Sequence, residues 1–402
     1  MSPERLRIAV LNRTFSPTAG GAERYSIALV EQLAAKHEIH VFAQSIEHQW
    51  PGVTYHRVKM PLRRPRWVNQ LWFATATWWA TRDRSGSGAA GGFDVVHSHE
   101  NAWHGDIQTV HVLPVKYNLF QGRVGWRRAL RWVKVLTSPR LLVYLGLERL
   151  RYAARPGRSV VVTSDSLLSI FNASYPAASA LTTVITPGIS LPDSPVSAAV
   201  RLDARQQLGL PAERPCVLFV GNDFRKKGLQ TLLEALRLLP DDVVLAVVGN
   251  PSQLSAFSHQ ITQAGLTSRV FFLGTLSDIR LAYRAADCLA HPTLEDTFAM
   301  VVLEAMAYSL PVVVSGAKYC GISGLLEDGV NALVLDDPRD VVALSDCLRR
   351  VLDDEVLKTK LAHAARAFAE KFEWRDIAAA QEKLYYAASA AKVKAKAKAE
   401  AR

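Results

Sequence analysis

Residues 291–316 read HPTLEDTFAMVVLEAMAYSLPVVVSG, and two features of the stretch need a common explanation. A short acidic pair, Glu295 and Asp296, precedes an apolar run, and a third carboxylate, Glu304, then falls among Val, Leu, Ala and Met. A Pro-led β-run, PVVVSG, closes the segment. The order is strand end, loop, helix, strand, the connection expected in a parallel sheet covered by helices. Asp296 and Thr297 stand where N-cap residues stand, with the helix expected to start near Phe298; such a cap stabilises by ~1 kcal/mol. That accounts for Asp296 but not for Glu304, eight residues on. A charge on an apolar helix face is costly to desolvate unless something polar meets it. A helix N-terminus offers N–H groups to phosphate, and a nearby carboxylate can grip ribose hydroxyls. A nucleoside diphosphate would satisfy the whole arrangement.

The alternation of strand and helix extends in both directions. Toward the N-terminus, RIAVLN (7–12), EIHVFAQ (38–44), FDVVHSH (93–99), DIQTVHV (106–112), SVVV (159–162) and TTVITPGI (182–189) read as strands. Gly20 and Gly21 open an amphipathic helix with Ile27, Val30 and Leu33 on one side. The rhythm restarts at PCVLFVG (215–221) and continues through VVLAVVGN (243–250), RVFFLGTL (269–276), CLAHPTL (288–294) and ALVLDD (332–337). The chain therefore reads as α/β, with two Rossmann-like doubly wound parallel-sheet domains over residues 1–190 and 191–371. The Pro-, Ser- and Ala-rich stretch 187–215 reads as the linker, and the Lys/Ala run 391–402 as a basic, disordered, solvated tail. In open sheets of this kind ligands bind beyond the carboxyl ends of the strands, so the loops there are the candidate sites.

At 49% hydrophobic and 21% charged residues, the 402-residue chain has a soluble, globular balance with room for two cores. Its apolar runs fall short of the ~18 residues that span a bilayer. Residues 1–11 lack a signal peptide's long apolar centre, and a cytoplasmic location is expected. Cys216, Cys288, Cys320 and Cys347 show no CxxC pairing and are expected to be buried thiols. The net charge of +11 is uneven: residues 1–190 hold 23 Lys/Arg against 11 Asp/Glu, and the remainder is close to neutral. That asymmetry points to an anionic partner for the first half.

Further motifs carry chemistry. FVGNDFRKKGLQTLLEAL (219–236) is strand, Gly221, basic loop and helix, so Arg225, Lys226 and Lys227 can face a diphosphate. A single lysine of that loop, taken alone, reads better as a solvated surface residue. TAGGAERYS (18–26) is a Gly-Gly turn before a helix, a common arrangement taken by itself. His97, His99 and His111 fall at ends of strands, where most histidines are structural hydrogen-bonders. No D-x-D pair at a strand end offers a metal site, and neither metal nor other cofactor is expected.

Together these motifs resemble the retaining glycosyltransferases of family 4, which have the GT-B fold, two Rossmann-like domains facing across a cleft. Asp296 and Glu304 match the acidic positions of that family's E-x7-E signature, with Asp in place of the first Glu and Glu295 just before it. The resemblance implies that Glu304 holds the ribose of a nucleotide-sugar donor and that Asp296 or Glu295 lies near the transferred sugar. It also implies that backbone amides of Thr297, Phe298, Ala299 and Met300 meet sugar hydroxyls and the diphosphate. Ala299 stands where Gly is commoner. Lys227 and Gly228 match the family's basic loop, while Asn222 replaces its usual Arg, a charge that Arg225 or Lys226 would supply. By the same resemblance Gly20 and Gly21 approach the donor phosphate and acceptor from the first domain. His111 aligns with a histidine that contacts the donor sugar; Asp296, His111, Lys227 and Arg225 become the catalytic candidates. FEWRDIAAAQEKLYYAA (372–388) matches the helix, about 372–390, that packs back on the first domain. The form GNDFRKKG is similar to that of lipopolysaccharide-core glucosyltransferases in this family. The implied donor is UDP-glucose, with UDP-GlcNAc, UDP-galactose and GDP-mannose open, and the implied acceptor is a lipopolysaccharide core or another glycolipid.

The resemblance is loosest over 50–92 and 113–158, where Trp and Arg interleave. PLRRPRWVNQLWFATATWWATR (61–82) sets Trp67, Leu71, Trp72, Trp78 and Trp79 at helical spacing between Arg63, Arg64, Arg66, Arg82 and Arg84. RVGWRRALRWVKVL (123–136) sets Arg127, Arg131 and Lys134 beside Trp126, Leu130 and Val133. Such helices suit an anionic membrane surface. Segments 61–84 and 123–158 are therefore expected to hold the protein peripherally at the inner membrane. A dehydrogenase would need G-x-G-x-x-G after the first strand, which PTAGGAERYS does not match. A nucleic-acid binder would leave the acidic pair and the diphosphate-type loops unexplained.

Overall fold

The structure, a computed structural model, describes residues 4–62, 64–82 and 92–400. Arg63, Arg84 and residues 401–402, all named above, lie outside the described residues. The chain divides into two compact units, Met1–Thr186 with Trp374–Arg402, and Pro187–Glu373.

The first unit is built on β1 (Arg7–Leu11), β2 (Glu38–Ala43), β3 (Val53–Arg57), β4 (Val95–Ser98), β5 (Ile107–Val110), β6 (Ser159–Val162) and β7 (Thr182–Val184). All pair in parallel, in the spatial order 3-2-1-4-5-6-7. The second unit repeats the scheme with β8 (Cys216–Val220), β9 (Val244–Val248), β10 (Val270–Gly274), β11 (Cys288–His291), β12 (Val312–Ser315) and β13 (Leu333–Leu335). Their order is 10-9-8-11-12-13, again parallel. CVLFV and VLAVV are buried along their whole length, as central strands covered on both faces must be. In each sheet the winding reverses beside the first strand, between β1 and β4 and between β8 and β11, which is where such sheets open a crevice.

Three expectations change. The edge strand β3 was not foreseen, since VTYHR is half-exposed and lacks the apolar run of the inner strands. The stretch read as a linker belongs to the second unit: helix Ala198–Leu208, capped by the Ser197 side chain and closed by left-handed Gly209, buries Ala204 and Arg205. Arg205 is fixed there by Asp287 at 2.7 Å. The disordered tail is instead the end of a helix, Trp374–Glu400. Ala and Lys are both strong helix formers. Lys392 also anchors this end to the first unit, pairing with Asp106 at 2.7 Å and donating to the carbonyl of Asp94 at 3.1 Å.

Candidate functional site

The loops after β8, β9, β11 and β12 converge at the carboxyl edge of the second sheet. Gly221 follows β8, and a Cβ there would lie 2.8 Å from Cγ of Lys227, so glycine lets the lysine stem fold back across the strand end. Gly228, at the far end of the basic loop, has φ +81°, and a Cβ on it would meet the Pro292 carbonyl oxygen at 1.9 Å. Only glycine permits that approach. The basic loop is thereby pressed onto the segment after β11: the Leu294 amide and the Thr293 hydroxyl both donate to the Lys226 carbonyl, at 2.8 and 3.2 Å. Behind it, Gln253 accepts from the Phe224 amide at 2.9 Å and donates to the Asn222 carbonyl.

The cations then cross between loops. Lys227 Nζ donates to Asp296 Oδ2 at 2.6 Å and to the Glu295 carbonyl at 3.1 Å. Lys226 pairs with Glu295 at 2.8 Å, both side chains half-exposed. Asp296 has both oxygens engaged. Nε2 of buried His291 donates to Oδ2 at 3.2 Å, and the amides of Phe298 and Ala299 donate to Oδ1 at 3.3 and 2.9 Å. Burial alone would raise the Asp296 pKa, but the His291 hydrogen bond and the Lys227 charge outweigh it and hold the carboxyl well below the usual range. Burial keeps His291 below its ordinary value despite that carboxylate. Near neutral pH Asp296 is therefore a carboxylate and His291 a neutral imidazole.

The helix expected from Phe298 opens two residues later, as Met300–Ala307, because Ala299 sits at the cap in the left-handed region, φ 72° and ψ 67°. An L-residue is strained there, which is why Gly is the easier choice. The amides of Phe298 and Ala299, turned toward the donor by the resemblance, are here taken up by Asp296. The loop after β12 pins this turn from its other side: the Asp296 amide donates to Tyr319, Gly321 to Asp296 and Ile322 to Phe298, at 2.8, 3.0 and 2.9 Å. Thr297 is half-buried in the same turn, and Arg225 and Asn222 are exposed. Glu304, further into the helix, is only 8% exposed and accepts from the hydroxyl of Tyr283 at 2.5 Å.

The remaining candidates lie in the first unit, again after strands. Gly20 is extended, φ 171°, and caps helix Gly21–Leu33 without a left-handed backbone. A Cβ there would meet Oε2 of Glu23 at 2.9 Å. Gly21 is exposed at the helix start. His111, just past β5, joins His99 through a 2.9 Å contact between His111 Nε2 and His99 Nδ1, and Tyr25 packs edge-on against it. Burial and the Arg151 guanidinium push His111 down to about 3. His97 is held between the Tyr385 and Thr109 hydroxyls, 2.7 Å each, as a structural hydrogen-bonder.

This geometry can be set beside known proteins. Two family models match the chain: Glycosyl transferases group 1 over residues 200–371 and Glycosyltransferase Family 4 over residues 19–192. A D-inositol 3-phosphate glycosyltransferase of Xylanimonas cellulosilytica is 32% identical over 328 residues, 73% of this chain and 72% of its own. The chain belongs to glycosyltransferase family 4. The lipopolysaccharide glucosyltransferase WaaG of Escherichia coli is 28% identical over 236 residues, 56% of this chain and 62% of that one. The crystal structure of a WaaG shares this glycosyltransferase's GT-B fold, with a TM-score of 0.78 at 22% identity, covering 94% and 98% of the two chains. The structure of Anabaena Alr3699/HepE in complex with UDP and glucose gives a TM-score of 0.72 at 21% identity, covering 94% and 99%.

Sequence reasoning missed several residues that this glycosyltransferase uses to build the site. His291 opens the very stretch that decided the fold, but only the register of β11 turns it to Asp296. Gln253 and the 319–322 turn carry no motif of their own. Tyr283 lies 21 residues before Glu304, beyond any local spacing argument.

Proposed function

We propose that this glycosyltransferase moves a hexosyl group, with retention and without a metal, from a nucleoside-diphosphate sugar held by the second unit. The acceptor, taken by the first unit, is a lipopolysaccharide core or a related cell-envelope glycolipid. One observation carries the reading: the Lys227–Asp296 pair is clamped between two sheet-end loops just before a helix, with Glu304 further along that helix. A fixed ammonium and a helix N-terminus suit a diphosphate, and a carboxylate suits a ribose diol. As the sugar leaves, negative charge builds on the diphosphate. Lys227, Arg225 and the N-terminus of Met300–Ala307 would stabilise it without reorganising, because Lys227 is already in place. Asp296 then acts as the counter-charge that aims Lys227. The acceptor's proton passes to the departing phosphate, so no side-chain base is needed.

Relatives support the substrate class. HepE was crystallised with UDP and glucose, and WaaG is named a lipopolysaccharide glucosyltransferase, which together favour UDP-glucose. A second acceptor reading, a phosphorylated polyol, is favoured by the relatives named D-inositol 3-phosphate glycosyltransferases. The surface of the first unit speaks for a lipid instead. Helix Gly125–Leu136 buries only Val135 and leaves Trp126, Leu130, Val133 and Leu136 exposed. Among the described residues no helix is long and apolar enough to cross a membrane, so the proposed association is peripheral, at the cytoplasmic face.

Isothermal titration against UDP, GDP and NAD, with and without EDTA, on the native protein and on Glu304→Ala, tests the reading. EDTA-insensitive micromolar binding of one diphosphate, lost in the variant, is expected. No diphosphate binding, or binding that EDTA abolishes, removes the donor site or its metal independence respectively.

A further inference from the structure

We propose that Tyr283 is the positioning residue for the donor's ribose, acting through Glu304 and setting how strongly the enzyme prefers ribose to 2′-deoxyribose. The inference rests on the reading that Glu304 holds that ribose. Glu304 is the only charged residue of helix Met300–Ala307, and its neighbours Val302, Leu303, Ala305, Met306 and Ala307 are buried. A carboxylate in such surroundings needs hydrogen bonds to offset its desolvation and to stay in one orientation. Tyr283 supplies one: its hydroxyl lies 2.5 Å from Oε2, the length of a charge-assisted O–H···O⁻ bond.

The tyrosine is itself tightly packed. It comes from a different element, helix Arg280–Ala285, is 2% exposed, and has buried Ala282 and Ala285 for neighbours. Its ring stacks on Tyr308, centroids 5.7 Å apart and planes 25° from parallel. Tyr308 lies four residues past Glu304, so one helical face presents both the carboxylate and the ring that braces the donor. The Arg284 guanidinium, 6.0 Å over the Tyr308 ring, backs the stack from beyond.

A carboxylate has four lone-pair positions, and the phenol takes one on Oε2. That contact restrains rotation about the Cγ–Cδ bond, and with it the direction of the other lone pairs. Two vicinal hydroxyls can then be accepted at once without first ordering the side chain, which is the physical origin of preorganised affinity. Removing the phenol oxygen while keeping the ring leaves Glu304 present but without that restraint. Its selectivity for a diol over a single hydroxyl should fall while its packing persists.

The experiment is a titration of UDP and 2′-deoxy-UDP, or of GDP and 2′-deoxy-GDP if guanine proves to be the base. It is run on the native enzyme, Tyr283→Phe, Glu304→Ala and the double variant. The native enzyme should bind the ribo form at least about tenfold tighter, and Tyr283→Phe should cut that ratio at least threefold. In the Glu304→Ala background Tyr283→Phe should have no further effect on the ratio, because the tyrosine acts only through the carboxylate. A native-like ratio in Tyr283→Phe, or an effect that persists without Glu304, overturns the proposal and leaves the donor reading standing. If the native enzyme shows no ribose preference, or Glu304→Ala keeps it, the donor reading itself falls and the proposal with it. Should Tyr283→Phe not fold, Tyr308→Leu keeps the hydroxyl and loosens its ring. The same drop of at least threefold is then expected, and an unchanged ratio counts against the proposal.

Discussion

Lys227 reaches Asp296 along a stem that crosses Gly221, so its ammonium is presented at the sheet edge with two of its three donors engaged, by Asp296 and the Glu295 carbonyl, and one to spare. A cation held this way costs no reordering when charge develops on a leaving diphosphate. Removing one such preorganised donor typically lowers kcat by about 10²–10³. Lys227→Met should fall in that range, with a smaller change in donor KM, in steady-state assays of hexosyl transfer. Asp296→Asn removes the counter-charge and one of the two acceptor oxygens but leaves the Lys227 ammonium in the site, so it should be milder in kcat than Lys227→Met. Equal or larger loss in Asp296→Asn would mean the carboxylate itself touches the reacting sugar. Much of this was legible in one dimension: seven residues separate Asp296 from Glu304, and Lys227 sits just before Gly228. What was not legible is division of labour between Glu295 and Asp296. Adjacent residues in a loop point apart, and only the fold sends one to an exposed lysine and the other to a buried histidine.

At the level of elements, the strands of the first unit carry histidines into its interior. Strand-end motifs such as DVVHSH and QTVHV announced their positions, but the partners come from distant elements, Tyr385 and Arg151 above all, which no local pattern reveals. Burial, then neighbouring positive charge, pushes His97 and His111 down to about 3 and His104 to about 4, and His99 well below its usual value. The sign follows from linkage. Below about pH 6.5 the unfolded chain takes up protons at these positions and the folded chain does not, so stability is complete above that pH and falls as pH falls. Each such histidine contributes up to ~1.4 kcal/mol per pH unit. Urea unfolding should therefore show a midpoint that drops steeply from pH 6.5 to 5, and His97→Asn should flatten that slope whatever it does to stability at pH 8. An unchanged slope would place the acid sensitivity elsewhere. The same contrast holds for the C-terminal helix. Its Lys/Ala composition reads as a loose tail, and the anchoring of Lys392 on Asp106 is a tertiary fact.

Across the whole molecule the uneven charge and the exposed apolar helix face belong to the same unit. Trp126, Leu130 and Val133 form one stripe of helix Gly125–Leu136, 69%, 58% and 57% exposed, and Arg127, Arg131 and Lys134 form the stripe beside it. Large apolar side chains left this open on a soluble surface need a partner. On helix Arg66–Thr81 the arrangement repeats: small and polar Asn69, Gln70, Ala74 and Thr77 are buried with Phe73, while Leu71, Trp72 and Trp79 face outward. A basic residue near an anionic bilayer is worth about 1 kcal/mol. Neutralising Arg127, Arg131 and Lys134 to Gln should thus weaken binding to vesicles rich in anionic lipid by roughly 100-fold. Trp126→Glu with Leu130→Glu should abolish flotation with the same vesicles while leaving diphosphate titrations unchanged, since those residues belong to the other unit's chemistry in neither sequence nor fold. Because screening acts on the basic stripe and not on the apolar one, raising salt from 0.1 to 0.5 M should reduce native binding strongly but incompletely. Native protein that ignores vesicles of either charge would shift the acceptor from a glycolipid to a soluble phosphorylated polyol, because the exposed helix would then have no membrane to meet.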